Sequence, residues 1–413
     1  MNGSTVDFLI VGAGASGMMA AITAAEQGAS VAVLEKNGRP GRKLYITGKG
    51  RCNVTNDSDA QTCLAQTRTN PKFLYAAMQA FPPSSTIAFF EALGCPLKTE
   101  RGNRVFPCSD HAADVIDALN NRMRELRIGF FTGTAERLLI ENGTLCGIHA
   151  SRGDFRAGRV LLATGGASYP RTGSTGDGYA LARQAGHTII EPTGSLVPLL
   201  CDAPICRAGL ALKNVELTLQ NESGKTVYAE RGELTLTGYG LDGPMALTAS
   251  TYLGRETGFT AYLDLKPALD EAALDARILR DLKQYQNSPM EAALTSLLPR
   301  ALIVPVLRAA QIAPTLAANS LTRDGRKRLV QSLKRIALPI QGKRPIEEAI
   351  VTAGGVDVRE VNPRTMESKL LPGLYFAGEL LDLDARTGGF NLQIAWATGH
   401  AAGLAAAMQG GSK

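Results

Sequence analysis

The chain has 413 residues, room for two or three domains, and 45% are hydrophobic, enough to fill their cores. Its formal net charge of +6 is modest, so a polyanion-binding surface would have to come from an uneven local distribution. No apolar run reaches membrane-spanning length, because even the opening one is broken by Gly12 and Gly14. The start of the chain lacks a basic stretch and a small-residue cleavage site, so no secretory signal is expected. Seven cysteines without a C-x-x-C pair predict reduced thiols and a cytoplasmic protein. With neither a zinc ligand set nor an H-E-x-x-H helix, no metal is expected.

In chain order, residues 5–17 read as a buried strand entering a G-x-G-x-x-G turn at Gly12, Gly14 and Gly17, followed by a helix opening on Ala15 and Ser16. Gly12 permits the tight turn, Gly14 lets backbone approach a pyrophosphate, and Gly17 lets helix and strand pack closely. The helix start offers N–H groups and a positive dipole end to phosphate. Glu35 closes the next apolar run, and its carboxylate suits ribose hydroxyls while repelling a 2′-phosphate. The site therefore wants FAD or NAD, not NADP. A long Gly-rich basic loop follows over 41–56, then helical patterns near 71–80, 84–93 and 110–126 and short strands across 128–163.

Arg159–Leu162 reads as a buried strand ending in the small residues Thr164, Gly165 and Gly166, as expected beside a cofactor. Between about 191 and 344 such signals stop: 191–266 is β-branched and turn-rich, and 267–333 is mostly amphipathic helix. They resume after 345, so the expected organisation is one cofactor domain, 1–190 plus 345–413, interrupted by a β-rich insert (191–266) and a helical segment (267–344). Near the end, a strand leading to Gly378 and Glu379 can place a carboxylate beside the pyrophosphate and ribityl chain. The Gly388-Gly389 turn then aims the helix starting at Phe390 and Asn391 toward the electron-rich edge of a flavin. Nicotinamide has no such edge, which makes FAD the better reading.

Chemistry at a flavin needs a hydride from N5 and, for an alkene, a proton delivered to the neighbouring carbon. Within 50–53, Arg51 is placed to offset charge on the reduced ring and Asn53 to bond its polar edge, while Cys52 is either a proton donor or a packing thiol. Arg42 and Lys43 are assigned to phosphate, Asp382 and Asp384 to ribityl hydroxyls, and Lys36 and Ala135 complete the cofactor set. Lys369 and Arg386 face either substrate or solvent. His111, His149, His187 and His400 lie outside the motifs, and Trp396 reads as packing.

The blocks Gly-Arg-Lys-Leu-x-x-x-Gly-x-Gly-Arg-Cys-Asn-x-Thr-Asn (41–56), Ala-Thr-Gly-Gly (163–166), Asn-Pro-x-Thr-Met-Glu-Ser-Lys (362–369) and Gly-Glu-Leu-Leu-Asp-x-Asp-Ala-x-Thr-Gly-Gly-Phe-Asn-Leu-Gln (378–393) together resemble the BaiN/RdsA-like family of FAD-dependent oxidoreductases. The similarity spans essentially the whole chain. It implies an α/β fold in which a Rossmann-type FAD-binding domain is interrupted by a β-barrel-like domain and a small helical domain. It also implies reduction of conjugated C=C bonds, on substrates as unlike as dehydro-bile acids and a ribosomal RNA uracil, with NAD(P)H as a possible electron donor.

Members commonly carry Phe-Thr-His-x-Gly-Leu-Ser-Gly-Pro in the inserted β domain, whereas this chain has Leu236-Thr-Gly-Tyr-Gly-Leu-Asp-Gly-Pro244. Gly238 stands for the His and Asp242 for the Ser, which leaves Tyr239 and Asp242 as the nearest replacements for a proton donor. The segment also forms a second G-x-G-x-x-G at Gly238, Gly240 and Gly243, read here as a capped turn before a short helix. From Arg323 to Arg344 eight basic residues stand against one acid, Asp324, a run that suits either RNA phosphates or a solvated face. The first functional expectation is an ene-reductase for a small steroid-like or bile-acid enone. The alternatives are reduction of uridine to dihydrouridine in ribosomal RNA, or a flavin-binding regulatory protein without turnover.

Overall fold

Four-residue apolar runs such as Phe8–Val11, free of polar breaks, are what a strand covered on both faces requires. In the computed structural model, which describes residues 6–202 and 209–408, that strand is central to a five-stranded sheet. The order is Leu374–Phe376, Val160–Leu162, Phe8–Val11, Val31–Glu35, Gly129–Thr132, and every pairing is parallel. Phe8, Leu9, Ile10 and the whole of Val160–Leu162 are inaccessible to solvent. This is the α/β, Rossmann-type core.

The helix after the fingerprint, Ala15–Glu26, lies against the last helix, Phe390–Met408. Their approach is set by small residues: a methyl on Gly399 would sit 2.4 Å from the Ser16 carbonyl oxygen and one on Gly403 2.5 Å from that of Ala20. Backbone oxygens cannot rotate away, so these positions admit glycine alone. Trp396 is fully buried in the same helix and donates through Nε1 to the Val54 carbonyl at 2.9 Å, a packing role with its one polar atom satisfied.

The chain divides into two units, Met1–Ser195 with Ile346–Lys413, and Leu196–Pro345. In the second, a closed antiparallel barrel runs Leu199–Cys201, Gly240–Asp242, Thr226–Leu236, Leu210–Gln220, Thr260–Asp264 and Ile336–Lys343, which pairs back to the first strand. Helices Glu271–Gln284, Arg300–Ala309 and Arg323–Lys334 share one apolar core with it, through residues such as Leu274, Leu302 and Leu329. The strand that closes the barrel therefore follows the helices, inside the 267–344 stretch that reads from sequence as helical. Its signal is short and interrupted by Pro339, a residue that demotes a run as a strand. The 41–56 block likewise is not all loop: it contains a short helix, Arg42–Ile46, and a 3₁₀ turn over Thr47–Gly50. Among the described residues no helix is long and apolar enough to cross a membrane.

Candidate functional site

The first strand, the Thr164–Gly166 turn and the start of the first helix meet at the fingerprint. Gly12 adopts φ +102°, and a methyl there would lie 2.5 Å from the Ala163 carbonyl oxygen. On Gly17 it would lie 2.0 Å from the oxygen of Gly12, yet on Gly14 nothing comes within 4 Å. One glycine bends the chain, one seals helix to turn, and the middle one faces open space where a pyrophosphate can lie. No side chain caps the helix at Gly14. Ala15 and Ser16 form its first turn, with the N–H groups that an anion would take.

Glu35 is 7% exposed. Its Oε2 accepts from the Ala13 N–H at 2.7 Å, and its Oε1 from the Asn37 N–H at 2.8 Å and Nδ2 at 2.7 Å. A carboxylate offers about four acceptor sites, so these three bonds leave capacity for a ribose hydroxyl. Around it, Arg42 donates to Asn37 Oδ1, Lys36 pairs with Asp177, and Ala135 opens the strand that follows Gly129–Thr132.

The C-terminal motif converges on the same sheet edge. Glu379 accepts from Lys43 Nζ at 2.6 and 2.8 Å, from Ser168 Oγ at 2.9 Å and from the Thr352 N–H at 2.8 Å. Lys43, assigned from sequence to phosphate, is thus held by a carboxylate. A methyl on Gly166 would meet Thr352 Oγ1 at 2.3 Å, and Gly165 and Gly378 are left-handed, with φ +75° and +69°. Gly388 and Gly389 also have positive φ and precede the final helix, whose Phe390 is 7% exposed. Asn391 spends its carboxamide on its own loop, accepting from the Ala385 N–H and donating to the Ala385 carbonyl.

Asp384 accepts from Thr69 Oγ1 and, at 2.6 Å, from Ser195 Oγ. Asp382 accepts from Asn70 and the Gly354 N–H, and burial holds its carboxyl above the usual range.

Arg51, expected to balance flavin charge, forms ion pairs with Glu100 and Asp110 and lies 4.1 Å over the Phe106 ring. Cys52 is fully buried, and burial pushes its thiol up to about 12. That is the environment of an inert thiol. Native protein at pH 8 should therefore leave Cys52 unlabelled by a thiol reagent while exposed Cys108 reacts first, as peptide mapping would show. Prompt labelling at Cys52 would contradict this.

Among the described residues, Asn53 Oδ1 and Thr164 Oγ1 are two of five buried side-chain polar atoms with no partner. Together with open space at Gly14, an uncapped helix start and an acid at the end of the second strand, they fit FAD. Phosphate would lie at Gly14–Gly17 and the adenosine ribose at Glu35, leaving Asn53 and Thr164 to meet the rest.

A family model, the HI0933-like protein Rossmann domain, matches residues 6–405. The chain belongs to this family. With it goes the assignment to the FAD-dependent oxidoreductases. Among members of known activity, the 3-dehydro-bile acid delta(4,6)-reductase of Clostridium scindens is 34% identical over 408 residues, covering 96% of this chain and 98% of the relative. The ribosomal RNA dihydrouridine synthase of Escherichia coli is 29% identical over 401 residues, covering 96% of each. Of solved structures, 3-ketosteroid delta1-dehydrogenase from Sterolibacterium denitrificans shares the fold at TM-score 0.54 and 16% identity, over 98% of this chain and 100% of that one.

In this member of the HI0933-like family the second unit carries the altered turn. Tyr239 donates through its hydroxyl to Asp242 Oδ2 at 3.3 Å, Asp242 Oδ1 accepts from the Gly243 N–H at 2.6 Å, and the Arg344 guanidinium lies 5.0 Å from the Tyr239 ring centre. Burial first, then the Asp242 charge, raises the phenol above its ordinary value. Gly240 belongs to a barrel strand and Gly243 caps the ten-residue helix Pro244–Leu253, so the second G-x-G-x-x-G is a capped turn. Much of the basic run is engaged internally. Arg326 pairs with Asp275, Lys334 with Asp264, Arg328 donates to the Ala310 carbonyl, and Arg335 stacks 3.8 Å over Tyr262.

Sequence reasoning passed over Asn37, Ser168, Thr352 and Ser195, which hold Glu35, Glu379 and Asp384 in place. Each is a common polar residue outside any glycine pattern, and its role comes only from distant pairing. Asn56, which donates to the Gly388 carbonyl at 3.0 Å, did lie inside a quoted block.

Proposed function

We propose that this protein reduces the conjugated C=C bond of a small apolar enone, of steroid or bile-acid type. The observation that carries the reading is 34% identity, across nearly the full length of both chains, to a reductase named for a 3-dehydro-bile acid. Bound FAD would supply the hydride, from N5 to the β-carbon. The chain's own residues supply the rest: Glu35 and the fingerprint hold the dinucleotide, and Glu379 with Lys43 fixes the strand end beside it. Tyr239, oriented by Asp242, delivers the proton to the α-carbon, while Cys52, sealed in the core, keeps a packing role. NAD(P)H is the proposed external reductant and the cytoplasm the proposed setting.

RNA is a second reading, favoured by the 29% relative. It is weakened by the internal pairing of Arg326, Lys334 and Arg335. Incubating reduced protein with a 4,6-dien-3-one steroid and, separately, with ribosomal RNA decides between them: a steroid two mass units heavier, with one of its two C=C bonds saturated, is expected. Dihydrouridine formation that disappears in Arg323→Glu/Lys327→Glu would instead establish RNA, because phosphate contacts supply affinity only to a polyanion.

A proton-donor role for Tyr239 predicts a selective defect. Tyr239→Phe should leave flavin reduction by dithionite unchanged and slow reoxidation by the enone by roughly 10²–10⁴-fold. Asp242→Asn should slow it less. Stopped-flow rates equal to those of the unsubstituted protein in both variants would remove the turn from the mechanism.

A further inference from the structure

The Arg51-Cys52-Asn53 triplet sits on a backbone that few residues tolerate. Gly48, Lys49, Gly50 and Cys52 all have positive φ, of 56°, 60°, 86° and 57°. For Lys49 and Cys52 this is a left-handed conformation that costs free energy and persists only where surroundings enforce it. Enforcement is visible on both sides of Asn53. Arg51 is fixed by Glu100, Asp110 and the Phe106 ring. Cys52 is sealed in the core, with its N–H donating to the Thr47 carbonyl at 3.0 Å. A methyl on Gly48 would lie 2.9 Å from the Asn53 backbone nitrogen, so the loop is folded tightly onto that residue.

The neighbours are thus satisfied, and Asn53 is not: its Oδ1 is buried without a partner. A buried carbonyl left unmet costs free energy, so native structures rarely keep one without reason. Thr164, the other buried orphan named above, has a hydroxyl that can donate or accept. Asn53 Oδ1 can only accept. Resting on the FAD reading above, we propose that Asn53 is the flavin-sensing residue of the triplet and that its Oδ1 accepts a hydrogen bond from a flavin ring N–H, while Arg51 serves only to brace the loop. Oxidised flavin offers such a donor at N3. Two-electron reduction adds another at N5.

The experiment measures FAD affinity by fluorescence and the two-electron midpoint potential of unsubstituted protein, Asn53→Ala and Asn53→Ser, with circular dichroism to confirm folding. Loss of one hydrogen bond in a buried site should weaken FAD binding by about tenfold. If the partner is N3–H, oxidised and reduced forms lose equally and the potential stays. If it is N5–H, the reduced form alone loses, and a tenfold selective loss lowers the potential by about 30 mV. Either result supports the assignment. Arg51→Gln, with its brace removed, should lower thermal stability more than it moves the potential. Folded Asn53→Ala with unchanged affinity and unchanged potential would overturn the proposal, leaving water as the partner of Oδ1. Failure of the unsubstituted protein itself to bind FAD would overturn the cofactor reading, and this one with it.

Discussion

Gly17→Ala should cost about 3 kcal/mol or more, at the upper end of what overpacking does in a tight core, whereas Gly14→Ala should leave stability nearly unchanged and abolish FAD retention. The two positions are three residues apart on one turn. At Gly17 an added methyl meets the Gly12 carbonyl oxygen at 2.0 Å, and relief would need the turn to separate from the helix. At Gly14 the methyl meets nothing within 4 Å, and the backbone, at φ −84° and ψ −168°, suits any residue. The methyl would occupy the space a pyrophosphate needs. Urea denaturation and the flavin absorbance of purified protein check both. Equal stability of the two variants, or FAD retained by Gly14→Ala, would contradict this division of labour.

The second large effect belongs to Glu379. Its carboxylate gathers Lys43, Ser168 and the Thr352 N–H, and both members of the ion pair are about one-fifth exposed, at 19% and 23%. Glu379→Ala strands a mostly buried ammonium and two donors, and should destabilise the protein by about 3 kcal/mol, the low end for breaking a buried pair given the remaining exposure. Glu379→Ala with Lys43→Met should recover part of that loss, because no unpaired charge remains. The denaturant midpoint is the readout. A double variant less stable than Glu379→Ala would mean that Lys43 has a stabilising role independent of its partner.

The parallel core was legible because its signals are local. An unbroken apolar run, three glycines at fixed offsets and an acid at the next strand end each follow from backbone sterics or from burial on two faces. The partners of the site side chains were not legible, because they are set by pairing across the chain. Lys43 reads as a phosphate ligand, yet its mate lies 336 residues away. Arg51 reads as a flavin counter-charge, yet Glu100 and Asp110 reach it through the small antiparallel sheet of Thr55–Asn56, Leu97–Glu100 and Arg104–Pro107. The barrel's closing strand was hidden by Pro339. Asn53 was visible as a candidate from its block, but that its acceptor lacks a partner follows only from where the loop is buried.

The central claim, an FAD enzyme that reduces a small conjugated enone, is tested most directly by anaerobic titration. Protein reconstituted with FAD and reduced by one equivalent of dithionite is mixed with a 4,6-dien-3-one steroid while flavin absorbance is followed. Full return of the oxidised spectrum at one equivalent, with one C=C bond saturated per flavin, is the expected result. A flavin that stays reduced with the steroid yet is reoxidised by ribosomal RNA would contradict the account.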